Sequence, residues 1–164
     1  MTDKEYFIFL VNDELPRFKK FFEAIPEGKM DYTPHEKSRT NGSLLSQLAV
    51  QPDAIISILQ DGKPSFNAHM AEVSTKSPKE LGVMADTGFK NLVEEVKKTS
   101  EDVWESAASM EGPGMKWETT RRDMAWAFLL DMIHHRGQVS TYIRPMGGKV
   151  PDIYGPSGDS QINK

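Results

Sequence analysis

The residues best placed to do chemistry in this sequence are Asp131 and His135, which are separated by one helical turn. They lie in a series spaced by three or four residues, together with Phe128, Gln138 and Tyr142, so that all five share one face of a predicted helix. At this separation an aspartate oxygen and an imidazole nitrogen can bind the same divalent cation. The same side chains can form an ordinary ion pair, and the spacing alone leaves both interpretations open.

Apolar neighbours indicate which way this helix face points. Phe128, Met132 and Val139 are all apolar, which favours an interior position for the side chains of Asp131 and His135. A carboxylate and an imidazole that leave water need a partner to offset their desolvation. A metal ion or a polar ligand would supply that partner.

Four predicted helices would have to position these side chains. Apolar residues at helical spacing and capping signals place the helix starts near Asp3, after Ser43, at Ser77 and at Thr120. A further short helical turn is expected over residues 102–107, and we find no convincing strand alternation. The expected fold class is therefore all-α, a four-helix bundle. We expect a single domain over residues 1–164, with residues 146–164 as an extended C-terminal tail.

Two prolines fall inside the predicted helices. Because proline lacks an amide hydrogen and clashes with the preceding turn, Pro16 predicts a kink or break near residues 12–15. For the same reason we expect Pro52 to bend the second helix.

Composition argues against several classes of function. The 164 residues include no cysteine, which excludes a thiolate zinc site and a cysteine nucleophile. A net charge of -4, spread along the chain, gives no reason to expect binding to nucleic acid or an anionic membrane. No stretch approaches the roughly 18 apolar residues of a membrane span, and the N-terminal residues lack the features of a signal peptide. We therefore expect a cytosolic protein that binds neither nucleic acid nor membrane, and a small neutral or anionic ligand remains open.

A longer pattern occupies the C-terminal part of the sequence. Residues 134–138 read His-His-Arg-Gly-Gln, residues 142–151 read Tyr-Ile-Arg-Pro-Met-Gly-Gly-Lys-Val-Pro, and residues 153–157 read Ile-Tyr-Gly-Pro-Ser. This pattern resembles the C-terminal signature of the DinB family, in the DinB and YfiT-like superfamily. Residues 25–27, Tyr32 with Pro34, and residues 44–49 are similar to the first loop and second helix of that family.

This resemblance implies a bundle in up-down-down-up order that is often dimeric, so we expect a homodimer. It also implies a metal ion held by one histidine of the second helix and a His-x-x-x-His pair of the fourth. The sequence departs from that pattern, because Gln47 stands at the second-helix position and Asp131 replaces the first histidine of the pair. Only His135 matches a family ligand.

The ligand set implied by the resemblance is therefore Gln47, Asp131 and His135. Two oxygens and one nitrogen form a harder and weaker set than three imidazoles. Zinc, nickel or manganese can still bind if waters complete the coordination shell. The alternative is a direct hydrogen-bonded triad that joins helices two and four.

The resemblance also implies a choice between two classes of function. The superfamily includes stress-associated proteins of unknown activity and enzymes that use low-molecular-weight thiols. The leading hypothesis is a metal-dependent hydrolase or thiol S-transferase, in which a cation between helices two and four lowers the pKa of a bound water or thiol. The competing hypothesis is a catalytically inert bundle with a degenerate metal site, which binds a small molecule or a second copy of itself.

Overall fold

Four long helices make up most of the described part of the chain, which comprises residues 1–66 and 73–160 of the computed structural model. The elements in chain order are α1 (Asp3–Glu23), α2 (Asn41–Asp61), α3 (Pro78–Lys98), the one-turn α4 (Glu101–Trp104), β1 (Ala107–Gly112), β2 (Met115–Thr120) and α5 (Arg121–Ile143). The predicted all-α, four-helix bundle is confirmed, with a small two-stranded sheet added to it.

Each long helix begins at a hydroxyl side chain that accepts a hydrogen bond from the backbone N–H three residues later. These capping residues are Thr2, Thr40, Ser77 and Thr120. The starts predicted at Ser77 and Thr120 are confirmed. Helix α2 begins earlier than predicted because Thr40 caps it.

Both internal prolines lie in unbroken helices, so α1 remains one element, as expected, and has no break. The kink at Pro16 and the bend at Pro52 stay predictions. Pro16 deprives the carbonyl of Asn12 of its helical partner, but Asn12 is exposed and water can satisfy that carbonyl. Pro52 is buried where α3 approaches α2, and its Cβ lies 3.0 Å from the position that a Cβ on Gly88 would take. Packing of the buried helix faces thus outweighs the loss of one hydrogen bond.

Contacts between the four long helices give the up-down-down-up order. Helices α1 and α3 are antiparallel, α2 and α3 are parallel, α2 and α5 are antiparallel, and α1 and α5 are parallel. The direction of α1 against α3 follows from the pairs Phe18–Phe89 and Phe22–Gly82, and that of α2 against α3 from Pro52–Gly88 and Gln60–Glu95. The direction of α2 against α5 follows from Gln51–Phe128 and Leu59–Arg121, and that of α1 against α5 from Phe7–Trp126 and Glu14–Arg136.

The two strands form an antiparallel hairpin that the sequence analysis missed. The hairpin turns at Pro113-Gly114, where Gly114 has a φ of +72°, and a Pro-Gly pair at this position favours a tight turn. The backbone N–H of Ser109 donates to the carbonyl of Gly62 at 2.8 Å, which attaches β1 to the end of α2. The helical turn expected over residues 102–107 ends at Trp104.

Helix α2 is long and apolar enough to cross a membrane by length and composition, which corrects the expectation that no segment is so apolar. Within the bundle, 72% of its apolar window is buried. Buried residues such as Leu44, Leu48 and Ile55 are typical of the core helix of a soluble protein. The composition of α2 is therefore explained by its place in the core.

The C-terminal tail is described as far as residue 160 and contains neither helix nor strand from residue 146 to that point. Asp159 accepts hydrogen bonds from the Val150 backbone N–H at 2.8 Å and from Arg144 Nε at 2.9 Å. Both interactions hold the pKa of the Asp159 carboxyl below its ordinary value. The remainder of the predicted tail, residues 161–164, lies outside the described residues.

Substituting Gly82 by alanine should destabilise the protein, because α3 passes close to α1 at this position. A Cβ on Gly82 would lie 2.8 Å from Phe22 Cβ, so one helix would have to shift. Overpacking of this kind costs about 1–3 kcal/mol, against a gain in helix propensity of about 1 kcal/mol or less. Urea denaturation measures the difference. The neighbouring exposed substitution Val83→Ala is the control, and a Gly82→Ala protein more stable than wild type would contradict the close approach.

Candidate functional site

The three residues predicted as metal ligands meet between α2 and α5. Gln47 lies on α2 and donates from Nε2 to Asp131 Oδ2 at 3.0 Å. His135 lies one turn after Asp131 on α5, and its Nε2 is 3.3 Å from Asp131 Oδ1. The Asp131 carboxylate therefore joins the other two side chains.

Gln51 is a fourth member of this site and was missed from the sequence. Its Nε2 donates to Asp131 Oδ2 at 2.8 Å and to the Phe128 carbonyl at 3.1 Å, and its Oε1 accepts from Gln47 Nε2 at 3.1 Å. Gln51 is buried and follows Gln47 by one helical turn. That spacing was the signal that could have revealed it.

Arg39, in the loop before α2, reaches the site from the solvent side. Its guanidinium donates to Gln47 Oε1 and to the side-chain oxygen of Ser43. The backbone carbonyl of Arg39 accepts from the hydroxyl of Tyr142 at 3.4 Å. No periodicity in the polar loop could have placed Arg39 beside α2, so sequence reasoning had no signal for it.

The polarity of this chain of hydrogen bonds is dictated by its two ends. A guanidinium can only donate and an ionised carboxylate can only accept. The Gln47 amide between them must therefore direct its oxygen to Arg39 and its nitrogen to Asp131, as observed. We call Arg39, Gln47, Gln51, Asp131 and His135 the α2–α5 cluster.

His135 is held from both sides of its ring. On one side, its Nε2 lies 3.3 Å from Asp131 Oδ1. On the other side, Nδ1 lies 3.0 Å from Gln138 Oε1, and Gln138 Nε2 donates to the hydroxyl of Tyr142 at 3.2 Å.

The α2–α5 cluster lies at the edge of the bundle, not in its interior as the apolar neighbours had suggested. The side chain of Asp131 is 42% exposed and that of His135 is 15% exposed. The buried face of α5 is offset by one residue and carries Met132, Arg136 and Val139. The cluster is therefore open to solutes on its outer side.

A second polar cluster lies between α1 and α5 and combines a buried ion pair with the exposed Tyr154 of the tail. Glu14 and Arg136 pair directly and are 1% and 2% exposed. The Tyr154 hydroxyl, from the tail, donates to Glu14 Oε1 at 2.9 Å and accepts from Arg136 at 2.6 Å. Burial and the bond to Glu14 raise the pKa of Tyr154. The Arg136 guanidinium also lies over the Phe18 ring at 4.5 Å. This cluster therefore packs α1, α5 and the C-terminal tail together.

Comparison with known protein families identifies the family of this chain. The family model described as the DinB family matches residues 7–162. The chain belongs to the DinB family. Comparison of this DinB-family chain with curated proteins gives no match.

Solved structures share the fold of this DinB-family chain at low sequence identity. A DinB-like protein of Bacillus subtilis, YjoA, is 20% identical, with a TM-score of 0.65 over 93% of this chain and 99% of that chain. A mycothiol-dependent maleylpyruvate isomerase is 13% identical, with a TM-score of 0.60 over 90% of this chain. This chain spans 64% of the length of the isomerase. At these identities the likeness concerns the fold alone.

The residues at the position where the family resemblance implies a metal ion do not fit a divalent cation as they are arranged. Gln47 presents a hydrogen-bond donor to Asp131, and its only ligating atom, Oε1, is engaged by the positive charge of Arg39. Among residues 1–66 and 73–160, no group of three or more histidine, aspartate or glutamate side chains could hold an ion. Of the direct triad considered from the sequence, the Gln47–Asp131 hydrogen bond is present, and His135 Nε2 lies 3.3 Å from Asp131 Oδ1.

Proposed function

We propose that this DinB-family chain binds a small anionic molecule at the α2–α5 cluster without a bound cation. The observation that carries the proposal is the Arg39–Gln47–Asp131 chain of hydrogen bonds, which brings a guanidinium to the edge of the place implied for a metal ion. A guanidinium supplies positive charge and directed donors, the two properties that recognise a carboxylate. It supplies neither a metal-bound water nor a metal-bound thiol.

The charge balance at Arg39 supports an anionic ligand. Arg39 is exposed, and in the described part of the chain its side-chain partners are the neutral groups of Ser43 and Gln47. A carboxylate is a stronger partner for a guanidinium than a neutral amide oxygen. Asp131 and His135, which belong to the same cluster, can accept from or donate to a polar group on the same molecule.

A low-molecular-weight thiol that carries carboxylates is the ligand class we favour. The isomerase that shares the fold is mycothiol-dependent by name, which supports a thiol ligand. A thiol that also carries a carboxylate, as glutathione does, would place that carboxylate at Arg39. The hypothesis of a metal-dependent hydrolase or S-transferase has less support, because the donor set lacks the ligands that would generate a metal-bound nucleophile. The cytosolic location, stress association and lack of nucleic-acid and membrane binding stay predictions from the sequence.

Metal analysis and ligand titration of untagged protein test the proposal together. We expect less than stoichiometric metal after purification and no change in Tm on adding zinc, nickel or manganese, because only a ligand of the folded state raises Tm. Glutathione, as the carboxylate-bearing thiol probe, should bind in calorimetric titrations. The substitution Arg39→Gln should weaken that binding by about tenfold, as expected when a charged hydrogen bond is lost.

The control is Arg144→Gln, which removes another exposed arginine of the same chain, one already paired with Asp159. It should leave glutathione binding unchanged. Stoichiometric metal with a metal-dependent rise in Tm would instead support the metalloenzyme hypothesis. Glutathione binding that is insensitive to Arg39→Gln would move the ligand site elsewhere.

A further inference from the structure

A cavity of about 430 Å³ lies between the end of α1 and the first half of α3, and we call it the α1–α3 cavity. Its apolar lining includes Phe22 and Ile25, which are 3% and 5% exposed, and Val83, which is 62% exposed. Cavities of about 300–1,000 Å³ with apolar walls and a few polar groups are typical binding sites of small molecules. None of the lining residues belongs to the α2–α5 cluster, so this cavity is a separate site.

The walls of the α1–α3 cavity are fixed by the packing of the bundle. Gly82 lines the cavity where the two helices approach, and a Cβ there would lie 2.8 Å from Phe22 Cβ. The chain after α1 is held in the same way, since a Cβ on Gly148 would lie 2.9 Å from Pro26 Cγ and 3.1 Å from the Ala24 carbonyl. Because these contacts are already made within the chain, a ligand would enter a preformed site.

One end of the α1–α3 cavity carries a net positive charge. The antiparallel contact of Phe22 with Gly82 sets the register of the two helices. Lys19 precedes Phe22 by one turn and Asp86 follows Gly82 by one turn, so these two lining residues share an end. Asp86 is already paired with Lys90, whereas no ion pair within the described residues involves Lys19. The ammonium group of Lys19 is therefore the uncompensated charge at this end.

The opposite end of the cavity carries a net negative charge. Lys79 lies there, one turn before Gly82, and so do Glu23 and Glu27, which follow Phe22 along the chain. In the part of the chain that the structure describes, none of these three charged side chains forms an ion pair. Because α1 ends and α3 begins at this end, their helix dipoles offset each other. Two carboxylates against one ammonium group therefore leave an excess of negative charge.

The distance between the two ends sets the size of a ligand that complements both charges. From Lys79 to Asp86 the α3 helix advances seven residues, which corresponds to about 10 Å. An extended peptide spans at most about 3.3–3.6 Å per residue, so three residues cover this length. A peptide has an ammonium group at one end and a carboxylate at the other, and apolar side chains between them would cover the apolar lining. A purely anionic molecule would instead bring its charge near the two carboxylates or leave them without a partner.

We propose that the α1–α3 cavity binds a short apolar peptide of about three residues. Its C-terminal carboxylate would contact Lys19, and its N-terminal ammonium group would contact Glu23 and Glu27. This inference gives the chain a second ligand, a zwitterion with an apolar body, beyond the anion proposed for the α2–α5 cluster. It does not depend on that proposal, because the two sites share no residue.

Calorimetric titration of the full chain with trileucine tests the peptide site. Wild type should bind with a Kd of about 1 mM or tighter. Lys19→Gln should weaken binding about fivefold, as expected for the loss of an ion pair near the surface. The matched control is Lys20→Gln, which removes the next exposed lysine of α1, one that does not line the cavity, and it should bind as wild type does. No binding to wild type, or equal affinities of the two variants, would overturn the proposal.

Modified peptides test the orientation of the ligand. Trileucine amide lacks the carboxylate, so its affinity should be the same for wild type and Lys19→Gln, and N-acetyltrileucine should likewise be insensitive to Glu23→Gln. If Lys19→Gln weakens binding of the amide as much as that of trileucine, the carboxylate does not contact Lys19 and the assignment is wrong. Arg39→Gln should leave trileucine binding unchanged. A loss of trileucine binding in Arg39→Gln would place the peptide at the α2–α5 cluster and overturn the second site.

Discussion

Glu14→Gln should destabilise the bundle by about 3–5 kcal/mol, which is the cost of leaving one charge of a buried pair without its partner. Glu14 and Arg136 are almost completely buried and contact each other directly. The glutamine has the same shape, so the loss reports charge compensation and not a cavity. Guanidinium denaturation of wild type and variant measures the difference in the free energy of unfolding.

Two further variants separate this effect from general damage to α1. Asp13→Asn removes the neighbouring carboxylate, whose side chain is 45% exposed, and should cost less than about 1 kcal/mol as surface ion pairs do. The double substitution Glu14→Leu with Arg136→Met removes both charges and should recover most of the stability lost in Glu14→Gln. If Glu14→Gln unfolds at the same denaturant concentration as wild type, the pair is not a buried ion pair in solution.

Local signals were sufficient to predict the four helices but not every element between them. Capping residues and apolar spacing depend on neighbours in sequence, and they located the starts of α3 and α5 at Ser77 and Thr120. Glu14 was also within reach of this reasoning, because it is spaced at helical intervals from the buried Val11 and Phe18. The hairpin was missed because β1 lacks a clear alternation of burial, and its contact with Gly62 joins segments distant in sequence.

Family resemblance and helical spacing were sufficient to predict only part of the candidate site. Asp131 and His135 share a helix face, and the family resemblance placed Gln47 opposite them; the structure brings all three together. The direction of the Gln47 amide depends on Arg39, which contacts it from a loop whose path no periodic pattern describes. Only the tertiary structure therefore shows that Gln47 acts as a hydrogen-bond donor to Asp131 and not as a ligand.

Introducing two histidines should give this chain the three-imidazole ligand set that the family resemblance implies. In the double variant Gln47→His with Asp131→His, three imidazoles would occupy positions whose side chains already converge within hydrogen-bonding distance. The substitution at Asp131 also removes the carboxylate that now lies 3.3 Å from His135 Nε2. Imidazoles suit nickel and zinc, and a ligand at about 100 times its Kd stabilises the folded state by about 2.7 kcal/mol. We expect a metal-dependent rise in Tm for the double variant and none for wild type.

A third substitution tests whether the rise in Tm depends on the α2–α5 cluster. Adding His135→Ala to the double variant should abolish the rise in Tm, because three ligands become two. Adding Arg39→Gln should instead increase the affinity for nickel, because it removes a positive charge from the edge of the site. If neither metal raises the Tm of the double variant, the α2 and α5 backbones no longer have the spacing that a metal site needs. The loss of two histidines would then not be the only change from the family pattern. A response that grows when Arg39 is neutralised would mean that the guanidinium itself opposes a cation there, which is the physical basis of the function proposed for wild type.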